Sequence, residues 1–200
     1  MSRRGRDSGV ACFEYAGDAR AFLAEMTARL AQFDLEVEPS KTALLRFGSE
    51  QLGRTRAETS GPRTFSFLGL THDVGKSRTG RFVVGRKTDG KWVRKKLKLL
   101  SERLRGLRAQ GGRAMVAYLI RHLRGHIQYY GVSGNSRGVS GYLYAATGLL
   151  FKWLNRRSQR RSLTWTRFYA AIKPMLPTAR IIHDLYPVPW WKTQAGSRMV

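Results

Sequence analysis

Carboxylates nearly vanish from the second half of this chain. After residue 74 only Asp89, Glu102 and Asp184 are acidic, against 27 of the 37 Lys and Arg. Residues 1–74 hold ten of each sign, so the formal net charge of +24 lies wholly in the C-terminal part. That asymmetry points to a polyanionic partner for that part. Cysteine is as scarce. Cys12 stands alone, which excludes an intramolecular disulfide and a cysteine metal cluster, and it reads as a small core residue. No apolar run approaches the roughly 18 residues of a spanning helix. An anionic membrane surface is the competing partner for so basic a chain, but RNA is favoured and no membrane is expected. The start, MSRRGRDSGV, is basic with no apolar segment after it, so no secretory signal is expected and a cytoplasmic setting fits.

Hydrophobic residues make up 42% of the 200 positions, enough for a packed core. Their spacing predicts a mixed chain. Asp18 can cap a helix reaching Phe33, with Phe22, Met26, Leu30 and Phe33 on one stripe. Leu35–Val37 and Thr42–Phe47 read as short strands around a Pro39-Ser40 turn. FSFLGL, from Phe65 to Leu70, reads as a strand with Gly69 inside it, which suggests a bulge or a close backbone approach. Gly75–Gly80 reads as a turn and Arg81–Arg86 as the return strand. From Asp89 the period turns helical. Val93, Leu97, Leu100, Leu104 and Leu107 form one narrow stripe, with Lys91, Arg94, Lys95, Lys98 and Arg105 opposite. Gly111-Gly112 ends that helix. A second is expected from Arg113 to Tyr130, with Met115, Val116, Leu119, Leu123, Ile127 and Tyr130 inward. A third spans Val139 to Asn155, with Tyr142, Leu143, Ala146, Leu149, Leu150 and Trp153 inward. A fourth is capped by Thr164, and an extended tail follows from Pro177. The expected class is α+β: one helix with antiparallel strands over 1–88, then a basic, mostly helical bundle over 89–200.

Two stretches combine helix, loop, arginine, amide and aromatic residues: LIRHLRGHIQYYGVSGNSR, from Leu119 to Arg137, and WLNRRSQRRSLTW, from Trp153 to Trp165. Such a mixture suits a surface that holds RNA backbone and stacks on exposed bases. The candidate RNA contacts are Lys91, Arg94, Lys95, Lys98, Arg105, Arg124, Tyr129, Asn135, Arg137, Asn155, Arg156, Arg157, Gln159, Arg160 and Arg161. Several have a plainer reading. The face of the first bundle helix could be merely solvated, yet almost no acid intersperses it. Arginines 156–161 flank a helix end, where cations also suit the dipole. Tyr130 lies on the apolar stripe, whereas Tyr129 points off it and is the stacking candidate. His122 and His126 stand one turn apart, as two metal ligands could. Both border the apolar stripe with no third ligand nearby, so core histidines are expected and no metal.

The first stretch also carries a resemblance. Gly125-His126, Tyr129-Tyr130-Gly131 and Gly134-Asn135 resemble the RGHYxYYGVxGN signature of the maturase domain in group II intron reverse transcriptases. Other blocks follow that family in order. EPSKT at Glu38–Thr42 with Arg46-Phe47-Gly48 is similar to a palm block, and FSFLGLTH at Phe65–His72 to the block that grips the primer end. Gly80-Arg81-Phe82 with Arg86-Lys87-Thr88 resembles the segment that follows it. Arg156-Arg157-Ser158-Gln159-Arg160, Leu163-Thr164-Trp165, Arg180-Ile181-Ile182-His183 and Thr193–Arg198 resemble the remaining maturase blocks. The similarity covers residues 10–200.

The resemblance implies a truncated palm remnant over 1–88, with a primer-grip-like turn at Phe67, Leu68 and Gly69, and a thumb and maturase-specific helical domain over 89–200. It implies structured RNA as partner, group II intron RNA first, with primer–template in a full-length setting, and a bacterial cytoplasm. The family's full-length enzymes are Mg²⁺-dependent RNA-directed DNA polymerases whose metals sit on palm carboxylates. Their Tyr-Ala-Asp-Asp box would fall on Gly5-Arg6-Asp7-Ser8, which retains one carboxylate, Asp7. No catalytic residue and no cofactor are therefore expected for this chain alone. The expected function is RNA binding that assists intron folding and splicing. The alternatives are a part of a polymerase that works with a separate fingers–palm region, a decayed inactive remnant, and a general basic nucleic-acid binder.

Overall fold

The computed structural model describes residues 9–49, 64–77, 79–156 and 163–186. It is a mixed α+β structure: five helices and a three-stranded antiparallel sheet.

Helix α1, Ala16–Ala31, is alanine-rich, with Asp18 in its first turn and Arg29 in its last, a charge order that suits the helix dipole. Asp18 lies inside the helix; Tyr15 is the capping residue and makes no side-chain cap. The expected stripe is present but not covered: α1 buries no residue, and Phe22 and Phe33 are 41% and 66% exposed. Cys12 is exposed as well, not a core residue. The strands expected at Leu35–Val37 and Thr42–Phe47 do not form. A 3-10 turn, Pro39–Lys41, takes the middle of the segment, and Thr42 bonds back to the Glu38 carbonyl. The rest has no ladder partner among the described residues, and a strand exists only through its ladder.

The sheet is a meander of β1 (Thr64–Phe67), β2 (Leu70–Lys76) and β3 (Phe82–Thr88). Gly69 is not inside a strand. Leu68 and Gly69 form the two-residue turn between β1 and β2, both at positive φ, 50° and 77°. That is the left-handed geometry whose twist matches paired strands.

Asp89 then starts the bundle. Its carboxylate accepts the backbone N–H of Lys91 at 2.7 Å and of Trp92 at 3.3 Å, capping α2, Gly90–Gly106. A 3-10 turn, Leu107–Gln110, leads into α3, Gly112–Tyr130; a five-residue loop leads into α4, Ser136–Asn155. Thr164 caps the short α5, Trp165–Ala171, as expected. The core lies among α2, α3 and α4, with Phe168 of α5 and Leu176 added from the C-terminal side. Leu104, Met115, Leu119, Leu123 and Leu150 are fully enclosed; burying each such side chain contributes about 1.5–3 kcal/mol. No helix among the described residues is long and apolar enough to cross a membrane.

Candidate nucleic-acid interface

The β1–β2 turn is pinned to the head of α2. The Asp89 backbone N–H donates to the Gly69 carbonyl at 2.9 Å, and Ser66 Oγ donates to Asp89 Oδ2 at 3.0 Å. The C-terminal end of α3 closes the third side, where Tyr129 Oη donates to the Leu68 carbonyl at 3.0 Å. Gly69 lies so close beneath these groups that a Cβ on it would come within 2.6 Å of Tyr130 Oη and 3.1 Å of the Trp92 ring. Between these elements runs a groove of about 620 Å³, lined by Ser66, Leu68, Gly69, Asp89, Trp92, Lys96, Tyr129 and Tyr130.

Its walls carry exposed aromatic surface: Trp92 is 42% exposed and Tyr129 49%. Leu68 stands at the mouth, 59% exposed. Lys96 is half-buried between two rings, 5.6 Å from the centroid of Trp92 and 4.7 Å from that of Tyr130. Burial holds its ammonium below the usual lysine pKa. The groove thus brings together partly exposed aromatic rings and one cation.

The cations expected on α2 line one side of that helix. Lys91, Arg94, Lys95, Lys98 and Arg105 are all exposed. From Thr64 onward, Lys87 with Asp73 at 2.9 Å is the one ion pair among the described residues, so the α2 cations have no carboxylate partner there. Glu102 falls on the same side of α2 as Lys98 and Arg105 without pairing with either. Arg124 and Arg137 are exposed, on α3 and at the start of α4, and neither lines the groove. Phe67 is half-buried at the end of β1 and does not line it either, whereas Leu68 and Gly69 do. Arg156 is exposed; Arg157, Gln159, Arg160 and Arg161 lie outside the described residues, as do Asp7 and Ser8.

Two of the expected contacts carry structural bonds. Asn135 is buried, and its carboxamide is used up internally. Oδ1 accepts the Thr88 N–H, and Nδ2 donates to the Tyr130 carbonyl and to Thr88 Oγ1, each at 2.8 Å. The loop it belongs to is a joint. Gly131 accepts from Ile182 and His183, Val132 bridges His183, and Ser133 Oγ binds Asp184 at 2.6 Å. Asn155 is likewise structural, its amide bonded to both the N–H and the carbonyl of Leu163. The Asn135 carboxamide has no donor left for RNA, whereas Asn155 donates only one of its two N–H groups.

The histidines form part of an aromatic stack. His122 Nε2 meets Tyr142 Oη at 2.6 Å, and His126 lies between Tyr142 and Tyr130, at centroid distances of 3.8 Å and 4.6 Å. Neither ring nitrogen of His126 has a partner, and burial drives its pKa down to about 3. Among the described residues no group of three His, Cys, Asp or Glu is placed to hold a metal ion.

Trp92, Lys96, Ser66 and Asp89 were not singled out from the sequence as contact residues. Trp92 carried a usable signal: a large aromatic off the apolar stripe of an amphipathic helix, one turn before a lysine. No protein-family model matches the chain, and no curated protein or solved structure matches it significantly.

Proposed function

We propose that this chain is an RNA-binding module of the group II intron reverse transcriptase/maturase kind, holding structured RNA and assisting its folding. The observation that carries the reading is the unpaired cationic side of α2 running out of an aromatic groove. The cations supply sequence-independent phosphate attraction, and the exposed rings supply stacking for unpaired bases. The likeness of residues 125–135 and 65–72 to maturase and primer-grip blocks supports the same choice. In this reading the module is the palm remnant, thumb and maturase part of such a protein, and the intron RNA performs the splicing chemistry. No reaction step is assigned to this chain.

The test is affinity of pure protein for a looped RNA, a plain RNA duplex and an unstructured strand as salt is varied. With about six phosphates engaged, binding should weaken by about three orders of magnitude between about 50 and about 200 mM salt. Tyr129→Ala should cost about 1–3 kcal/mol on RNA with unpaired bases and less on the duplex. Salt-insensitive binding would remove the electrostatic surface; equal losses on duplex and looped RNA would remove the stacking role.

A further inference from the structure

The far end of the same side of α2 carries a second feature. Three cations close around one indole: Arg108, Lys152 and Arg156 lie 5.4, 5.6 and 5.6 Å from the Trp153 ring centroid. No two can therefore stand farther apart than twice the larger distance, and none forms an ion pair among the described residues. Helix capping explains one of them. Arg108 donates from Nε to the Arg105 carbonyl and from Nη1 to the Arg156 carbonyl, at 3.3 and 3.2 Å, tying the end of α2 to the end of α4. Lys152 stands in the last turn of α4 and Arg156 at its C-cap, where cations suit the helix dipole, but among the described residues neither side chain bonds a carbonyl. Attraction to the ring offsets part of the mutual repulsion, but Trp153 is 9% exposed and its N–H is spent on Ser101 Oγ. The indole is thus a fixed post that holds three positive charges together. Beside it lies a shallow groove of about 470 Å³ between α2 and α4, lined by Trp153 itself and by Lys98, Glu102 and Arg105 of α2.

We propose that Arg108, Lys152 and Arg156 form a phosphate clamp for the RNA backbone, separate from the Trp92–Tyr129 groove. This rests on the RNA-binding reading and adds a geometry to it. The Trp153 indole meets Ser101 of α2, nine residues after Trp92, so groove and clamp are separated by about 14 Å along the helix. Lys95 and Lys98 lie between them. RNA contact then runs along α2, anchored by rings at one end and by a triad of cations at the other. Glu102 is the carboxylate on that path and weakens it.

The experiment uses the full chain and a fully paired RNA hairpin whose stem exceeds the length of α2. Lys152→Gln with Arg156→Gln removes two charges, keeps the aliphatic stems over Trp153 and leaves Arg108 at its carbonyls. Thermal melting checks the fold. With two phosphate contacts gone, the slope of log affinity against log salt should become shallower by about 1.4–1.8. Glu102→Gln, a surface change, should tighten the same RNA by about twofold at low salt. A double variant with wild-type affinity and slope overturns the clamp while leaving the RNA-binding reading intact. A wild-type chain with no salt-dependent RNA affinity overturns that reading itself. Equal losses on anionic lipid vesicles and on the hairpin also overturn the clamp, since a generic anion surface would behave so.

Discussion

The Asn135 carboxamide holds the Thr88 N–H at 2.8 Å, so the last residue of the sheet hangs from the loop between α3 and α4. This bond fixes the strand that delivers Asp89, and Asp89 in turn fixes both the head of α2 and the Leu68–Gly69 turn. The groove is therefore positioned by a residue that does not line it.

Asn135→Ala should cost about 3 kcal/mol of stability, because the Thr88 N–H and the Tyr130 carbonyl would lose their partner in a buried place. Asn135→Asp should not rescue it, since a carboxylate cannot donate to Tyr130. Denaturant unfolding measures the loss. A loss no larger than that of a surface substitution would show that water replaces the amide freely.

α1 should exchange its amide hydrogens faster than α3 and α4. It buries no residue, whereas α3 and α4 each bury seven, and local opening energies follow buried contact. Hydrogen exchange read by mass spectrometry or NMR decides this; equal protection in α1 and α3 would mean that something covers the Phe22 side in solution.

These two cases mark what the sequence could carry. The stripes of α2, α3 and α4 were legible because a 3.6-residue period repeated over four or five turns leaves one solution for burial. Asp89 and Thr164 were legible because capping is local. The same period in α1 named its apolar side but not whether anything packs on it. The strands expected at 35–37 and 42–47 failed because a few alternating residues do not encode a ladder partner. The close backbone approach read at Gly69 is present, but the strand expected over 65–70 breaks there, because a leucine in an apolar run hides a turn that Asn or Asp would have advertised. Asn135 was read as a ligand contact because its partner, Thr88, is 47 residues away.

Acid should weaken the fold well before carboxylates protonate. His126 unfolded takes a proton near 6.5, but folded it stays neutral until about 3. Between these values the unfolded chain binds one more proton, so stability falls as pH drops through that window. At pH 5 the penalty from this residue is about 2 kcal/mol. His122 and His72, also shifted downward by burial, act in the same direction. His126→Phe keeps a ring between Tyr130 and Tyr142 and should flatten the pH dependence of unfolding by nearly one proton. An unchanged slope in that variant would falsify the assignment.

The turn at the mouth of the groove holds a leucine where the backbone favours another residue. Leu68 sits at φ 50° and is 59% exposed, so it has neither glycine's freedom nor a core to reward it. A left-handed L-residue costs about 1–2 kcal/mol, and Asn tolerates the position best among non-glycine residues. Leu68→Asn should therefore raise stability by about 1 kcal/mol and keep the backbone carbonyl that Tyr129 binds. If Leu68 packs on bound bases, then with the leucine gone affinity for RNA with unpaired bases should fall while stability rises. Gly69→Ala should do the opposite to the fold. Its φ of 77° and a Cβ within 2.6 Å of Tyr130 Oη destabilise the turn, and Tyr130→Phe in the same chain should recover part of that loss. The measurement is unfolding free energy and RNA affinity on each variant at one salt concentration. A Leu68→Asn chain that gains stability and binds RNA as before would leave Leu68 as strain without a role in the groove.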